Sequence, residues 1–320
     1  MTAPGPNSSP TATAGLFAEL QDLKRLAPAG VRYSLSDELF VGAWDDLLSG
    51  TAWDTVADRS SVRAVLYVLF PGVGAEFFRA AGLSATAVTE VCTGAFERTL
   101  SGRVPSATYR RLATQLPTIL EEFAGGGARE PAKFRKPTRP PCLQKLREQP
   151  RAGATHPDHP RLVLMPPESH ADHCLLTAVY ACLVADDYGA APGEAFVCGL
   201  AHHLHNAFLP DCGWAGELAL EPYLEQVIAN CRSAALREFD PVLRDRLTDV
   251  LRHHESIATP VGKAISTGDV LDRVLDVKWR VRAASVSEQK VLGELDLVHP
   301  GPLKDFQTDL LTKTGLWTTH

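Results

Sequence analysis

Apolar residues recur at helical spacing over most of this chain, and that pattern sets the first expectations. Near the N-terminus Leu16, Phe17, Leu20, Leu23 and Leu26 share one helical face. Ser34-Leu35-Ser36 ahead of Asp37 reads as the cap of a helix running toward Leu48, with Gly50 as its stop. The apolar run 62–70 fits either a strand or a buried helix, and Pro71-Gly72 ends it. Helices are expected over 74–81 and 84–100. One continuous helix is expected over 106–123, where Leu112, Leu116, Ile119, Leu120 and Phe123 lie on one face. After a break rich in proline and glycine, helical patterning resumes at 169–188, 191–209, 218–236, 241–257 and 261–284. A short helix follows around 304–311.

The expected class is therefore all-α. The chain divides into a lead over 1–14, a helical N-terminal region over 15–124, a linker over 125–160, a second helical domain over 161–298 and a tail over 299–320. The lead is rich in Pro, Ser, Thr, Ala and Gly and reads as disordered. The linker carries Arg129, Lys133, Arg135, Lys136, Arg139, Lys145, Arg147 and Arg151 against only Glu130, Glu148 and Asp158. That imbalance reads first as a solvated surface segment and second as a basic arm for a phosphate-bearing partner. The N-terminal region has no functional signature of its own; its apolar faces fit self-packing or a homodimer surface.

Composition narrows the partners. The net charge of −6 is mild and predicts no nucleic-acid partner. Seven scattered cysteines without a C-x-x-C pair argue against a disulfide framework or a zinc knuckle, and for a reducing, cytoplasmic setting. No apolar run reaches membrane-spanning length, so no membrane partner is expected.

The histidines carry the chemistry. All 11 follow residue 155, and they cluster with acids at helical positions: His170, Asp172 and His173; His202, His203, His205 and Asn206; His253 and His254; Asp269 and Asp272. Leu243, Leu247, Val250, Leu251 and His254 share one face, so the imidazole points inward, where an unpartnered ring costs free energy that a metal or a carboxylate would offset.

Three of these elements carry a likeness to a known family. Ala171-Asp172-His173-Cys174, Leu204-His205-Asn206-Ala207 and Gly268-Asp269-Val270-Leu271-Asp272 resemble, in order, the first histidine, the His-Asp pair and the closing aspartate of the HD superfamily of metal-dependent phosphohydrolases. The separations are about 32 residues from His173 to His205 and about 64 from His205 to Asp269. The resemblance covers roughly 161–297. It implies an HD-type helical domain with His173, His205, Asn206 and Asp269 around one metal. His202 and His254 are candidates for binding substrate, and Asp211 or Asp172 for taking a proton from water.

This chain departs from the family pattern in the pair, where Asn206 stands in place of aspartate. An amide offers a neutral oxygen, so a hard cation is disfavoured and one divalent transition metal (Mn, Fe, Co or Zn) is expected. The implied reaction is hydrolysis of a small-molecule phosphate ester, with a nucleotide among the candidates. Two other classes stay open: a degenerate HD-like binding or regulatory module, and an HD-type iron-dependent oxygenase.

Overall fold

A computed structural model describes residues 10–27, 32–71, 73, 75–123, 138–254, 256–283 and 287–317. Those residues are predominantly helical, and their strands are confined to one two-stranded hairpin. No helix among them is long and apolar enough to cross a membrane.

The fold is organised around α9 (His170–Tyr188). Its sequence explains its bounds. Ser169 and Asp172 form a reciprocal capping box at the start, and Gly189 closes it in the left-handed conformation at φ 66°. From His170 to Ala185 every residue is buried, so this helix meets solvent only in its last turn. It packs on α10 (Pro192–Ala201) and on α14 (Pro260–Ala283).

Two glycines set these contacts. A Cβ at Gly199 would stand 2.7 Å from the Ala178 Cα, and one at Gly268 would stand 2.6 Å from the Thr177 carbonyl oxygen. Bare backbone at both points lets α10 and α14 close onto α9. Gly199 lies three residues before His202, and Gly268 directly precedes Asp269.

The N-terminal helices wrap the same core. They are α1 (Pro10–Leu20), α2 (Leu35–Leu48), α3 (Trp53–Leu69), α4 (Ala75–Ala80), α5 (Ala85–Leu100), α6 (Ser106–Ala113) and α7 (Leu116–Phe123). The run 62–70 is thus helical, the C-terminal part of α3. The single helix expected over 106–123 is two, because Pro117 removes a backbone donor at the start of α7. Residues Pro10–Ala14 of the expected lead open α1; residues 1–9 lie outside the described residues. One continuous apolar core runs from Leu16 and Phe17 through Trp44, Val65 and Phe96 to Tyr180, Phe196 and Ile265. Phe17 stacks on Tyr180 with ring centroids 4.2 Å apart.

Part of the segment read as a linker is folded. Helix α8 (Pro141–Glu148) starts on a proline, whose missing N–H costs nothing at that position, and buries Cys142, Leu143 and Leu146. Strands β1 (Ala154–His156) and β2 (His159–Leu162) then form an antiparallel hairpin. Three of the basic side chains among the described residues of this stretch fold back on the protein. Arg139 donates to Asp45, Arg147 forms a two-pronged pair with Asp37, and Lys145 lies over the Phe208 ring. Arg129, Lys133, Arg135, Lys136 and Glu130 lie outside the described residues.

Beyond α10 two expected helices are interrupted. The helix over 191–209 stops at Ala201. His202 and His203 form a turn, and a short 3-10 helix follows at Leu204–Ala207. The helix over 218–236 is preceded by α11 (Gly213–Ala219) and begins only at α12 (Leu224–Leu236), since Pro222 falls inside the expected stretch. Helices α13 (Pro241–Leu251) and α15 (Lys304–Lys313) complete the chain.

Candidate metal centre

The turn after α10 determines which histidines meet. His173 on α9, His202 and His203 bring one ring nitrogen each to within 4.8 Å of the others. Asp269 on α14 joins them, with its Oδ1 3.3 Å from His173 Nε2. His173 and His202 are buried, and His203 is half-buried.

The far side of each ring is pinned. His173 Nδ1 lies 2.6 Å from Asp272 Oδ2, His202 Nδ1 lies 2.6 Å from the Gly199 carbonyl oxygen, and His203 Nδ1 lies 2.8 Å from Asn206 Oδ1. The Asn206 amide nitrogen donates to the Leu209 carbonyl, which turns its oxygen toward His203. All three partners accept hydrogen bonds, so each Nδ1 carries a proton, which leaves the Nε2 of neutral His202 and His203 with a lone pair. His173 Nε2 and His202 Nε2 then face one another at 3.2 Å, beside the Asp269 carboxylate.

Lone pairs and a carboxylate converging in this way repel one another unless a cation lies between them. Burial, with neighbouring cationic groups, holds His202 and His203 well below the usual imidazole range, so neither ring supplies that cation as a proton; a metal ion, or a proton on His173 facing Asp269, does. Burial raises the Asp269 carboxyl, but Arg273 and His173 outweigh it and keep it well below its ordinary value. The donor set of three imidazoles and one carboxylate fits a borderline transition metal, and the Nδ1 partners are the outer supports such ligands require.

This grouping differs from the expected ligand set in its middle element. His173 and Asp269 come together, but the nitrogens nearest them belong to His202 and His203, three residues before His205 and Asn206. Asn206 spends its oxygen on His203 Nδ1 and acts behind the cluster. His205 is buried and lines the adjoining cavity; burial, with Arg232 and His254 nearby, lowers it to about 3. His254 also lines the cavity, with its ring 5.1 Å from that of His202.

Of the two candidate proton acceptors, Asp211 lines the cavity, 3.6 Å from His170 Nε2. Its oxygens accept from the backbone N–H groups of Ala152 and Gly213. Asp172 does not line the cavity. One of its oxygens is bound by Ser169 in the capping box and the other by Ser34 and Ser36, so it serves the α9 terminus and its junction with α2.

The cavity measures about 230 Å³. Its floor includes His202, His203 and Asp269, with His173 buried behind them. Its walls come from Arg151, Gly153, Ala154 and Thr155 of the hairpin segment, from Trp214 and Glu217 of α11, and from Arg273, Leu297 and His299. Arg151, His170 and His299 were not among the expected site residues. The surplus of histidine was the one local signal for the latter two; Arg151 lay inside a stretch that reads as a solvated linker.

Behind His173 lies a buried ionic network. Lys24, from the 3-10 turn Gln21–Lys24, reaches Asp272 at 2.8 Å and Glu168 at 2.6 Å. Gln21 donates to the same aspartate, and Arg25 and Arg280 both pair with Asp276. Glu168, His173 and Asp272 also lie close enough to hold an ion, but the Lys24 ammonium already fills that position.

No family model, no curated protein and no solved structure matches this chain.

Proposed function

We propose that the chain is a metal-dependent hydrolase of a phosphate ester, with the ion held by His173, His202, His203 and Asp269. The observation that carries this reading is the convergence of two pinned imidazole Nε2 atoms 3.2 Å apart beside a carboxylate, where His202 and Asp269 line a cavity. The resemblance in motif order supports the reaction class. A divalent cation bound there supplies a Lewis acid and an acidified water at neutral pH. The protein's own residues do the rest. Asp272, the Gly199 carbonyl and Asn206 fix the three rings. Asp211, at the cavity wall, is the carboxylate placed to accept a proton. The hairpin and α11 limit the entry of bulk water.

The test is a screen of phosphomonoesters against protein reconstituted with Mn²⁺, Fe²⁺, Co²⁺ or Zn²⁺. Turnover is expected in the wild type and should fall by about 10²-fold or more in Asp269→Ala. No turnover with any metal, from protein that does hold one, would refute the reaction class.

One observation favours a second reading. His205, His254 and His299 bring more imidazoles to this cavity than one ion needs, and His170 packs on His203 behind it. An iron-dependent oxygenase would use them. Iron as the metal carried on purification, with oxygen consumption and no phosphatase activity, would select that reading.

A further inference from the structure

Of the two arginines that line the cavity, Arg151 is the one with no carboxylate in ion-pair contact among the described residues. Its backbone N–H donates to the Glu168 carbonyl oxygen at 2.8 Å, which fixes the chain where the hairpin leaves the protein body. Its side chain lines the cavity, and its Nη1 is shut off from solvent with no hydrogen-bond acceptor. The other cavity arginine is different. Arg273 Nη2 lies 3.2 Å from Asp269 Oδ2, and Arg273 Nη1 lies 3.3 Å from the Leu297 carbonyl oxygen. Arg139 and Arg147, neighbours of Arg151 in sequence, each hold a carboxylate.

A guanidinium nitrogen shut off from solvent with open donors is costly unless something anionic completes it. Arg151 also lies near the metal cluster: it lines the same cavity as His202, His203 and Asp269. The charged groups around the cavity are Arg151 and Arg273 against Asp211, Glu217 and Asp269. A divalent ion on the histidines turns that balance positive, leaving room for one anionic group between the ion and Arg151.

We infer that Arg151 is the anchor for the phosphoryl group of the substrate, and that the substrate is a compact phosphomonoester rather than a nucleotide. This rests on the hydrolase reading and adds to it the residue that binds the phosphate and the size class of the ester. A planar guanidinium presents paired N–H donors that match two oxygens of a tetrahedral anion. The size class follows from the walls. The cavity, at about 230 Å³, is below the ~300–1,000 Å³ of sites that enclose drug-sized ligands. Trp214, the aromatic wall residue best suited to hold a base, is already stacked on His299 at 4.8 Å and met edge-on by His156.

The experiment is calorimetric titration of inorganic phosphate into metal-loaded wild type, Arg151→Gln and Arg151→Lys, with the metal content of each measured alongside. We expect Arg151→Gln to hold its metal and bind phosphate about 10- to 100-fold more weakly. Arg151→Lys should recover part of the loss, because it keeps the charge without the fork. A nucleoside monophosphate should bind the wild type no more tightly than phosphate does. Phosphate binding unchanged in Arg151→Gln overturns the anchor, and tighter nucleotide binding overturns the size class. Should both variants fail to fold, wild-type crystals soaked in phosphate decide: density within hydrogen-bond distance of the Arg151 guanidinium is expected, and density only elsewhere overturns the inference. Absence of metal from the wild type would instead count against the hydrolase reading, which keeps the two failures distinguishable.

Discussion

The two sides of His173 make opposite use of charge. On the Nδ1 side, Lys24, Asp272, Glu168, Asp276, Arg25 and Arg280 sit in direct opposite-sign contact, and Gln21 and Tyr180 complete the network. On the Nε2 side, imidazole nitrogens face one another, and Arg151 Nη1, His205 Nδ1, Arg273 Nε and His299 Nδ1 are buried without hydrogen-bond partners. Burial alone does not explain the difference, since the closed side is buried as deeply. The closed side is completed by residues of the N-terminal region; the open side awaits something from outside. The N-terminal helices, which carry no signature in the sequence, therefore contribute the inner support of the candidate metal centre.

The largest expected effect comes from breaking the closed side. Lys24→Met leaves Asp272 and Glu168 as uncompensated buried carboxylates, and loss of one partner of a buried pair costs about 3–5 kcal/mol. Denaturant unfolding should show that loss even in chelated protein. An effect below about 1 kcal/mol would mean the network is not a support.

A change behind the open side should act on metal rather than on folding. Asn206→Leu removes the oxygen that orients His203, and loss of such an outer partner weakens metal affinity by about 10- to 100-fold. Competition with a chelator measures it. Equal affinities in the variant and the wild type would show that His203 needs no support or binds no metal.

The two sides should also respond to acid in separate windows. Burial, with Arg273 nearby, lowers His299 to about 4, so its neutral form is favoured by folding. That contribution is complete above the unfolded value near 6.5 and is lost as pH falls from 6.5 toward 4. Asp276 is raised by burial but lowered overall to about 2 by Lys24, Arg280 and Arg25. Its contribution is complete above about 3.8 and is lost as pH falls from there toward 2. Stability of the chelated protein against pH should therefore decline in two stages. His299→Asn should reduce the slope of the upper stage by up to one proton and leave the lower stage unchanged. An unaltered upper slope would show that His299 is not held neutral.

The smallest effect belongs to a pair outside both sides. Arg103 meets Glu19 on the surface, with the glutamate side chain 53% exposed. Glu19→Gln should change stability by no more than about 1 kcal/mol and leave metal affinity unchanged.

Helix α9 was legible in the sequence because its signals are local: the Ser169 cap, the Gly189 stop and an apolar run between them. Motif order also picked out His173 and Asp269, which the fold brings to 3.3 Å of one another. In the middle element the nitrogens nearest His173 lie three residues before the motif pair, for an identifiable reason. Leu204-His205-Asn206-Ala207 matches the letters of the family pair, and the apolar pattern carries a helix on to residue 209. The helix ends at Ala201, where the His202 ring caps the Gly199 carbonyl and His203 turns inward. That end depends on contacts with α9 and on the Asn206 side chain, which periodicity does not register. Arg151 and Lys24 were not legible because each acquires its role from a partner far along the chain: the cavity in one case, Asp272 in the other.

The most direct test of the central claim is elemental analysis of purified wild type, His202→Ala, His203→Ala and His205→Ala after incubation with Mn²⁺, Fe²⁺ or Zn²⁺. The geometry predicts about one ion per chain in the wild type and in His205→Ala, and little or none in His202→Ala and His203→Ala. Metal retained in the first pair of residues and lost with His205 would return the site to His205 and Asn206, and a wild type that holds no metal would contradict the account outright.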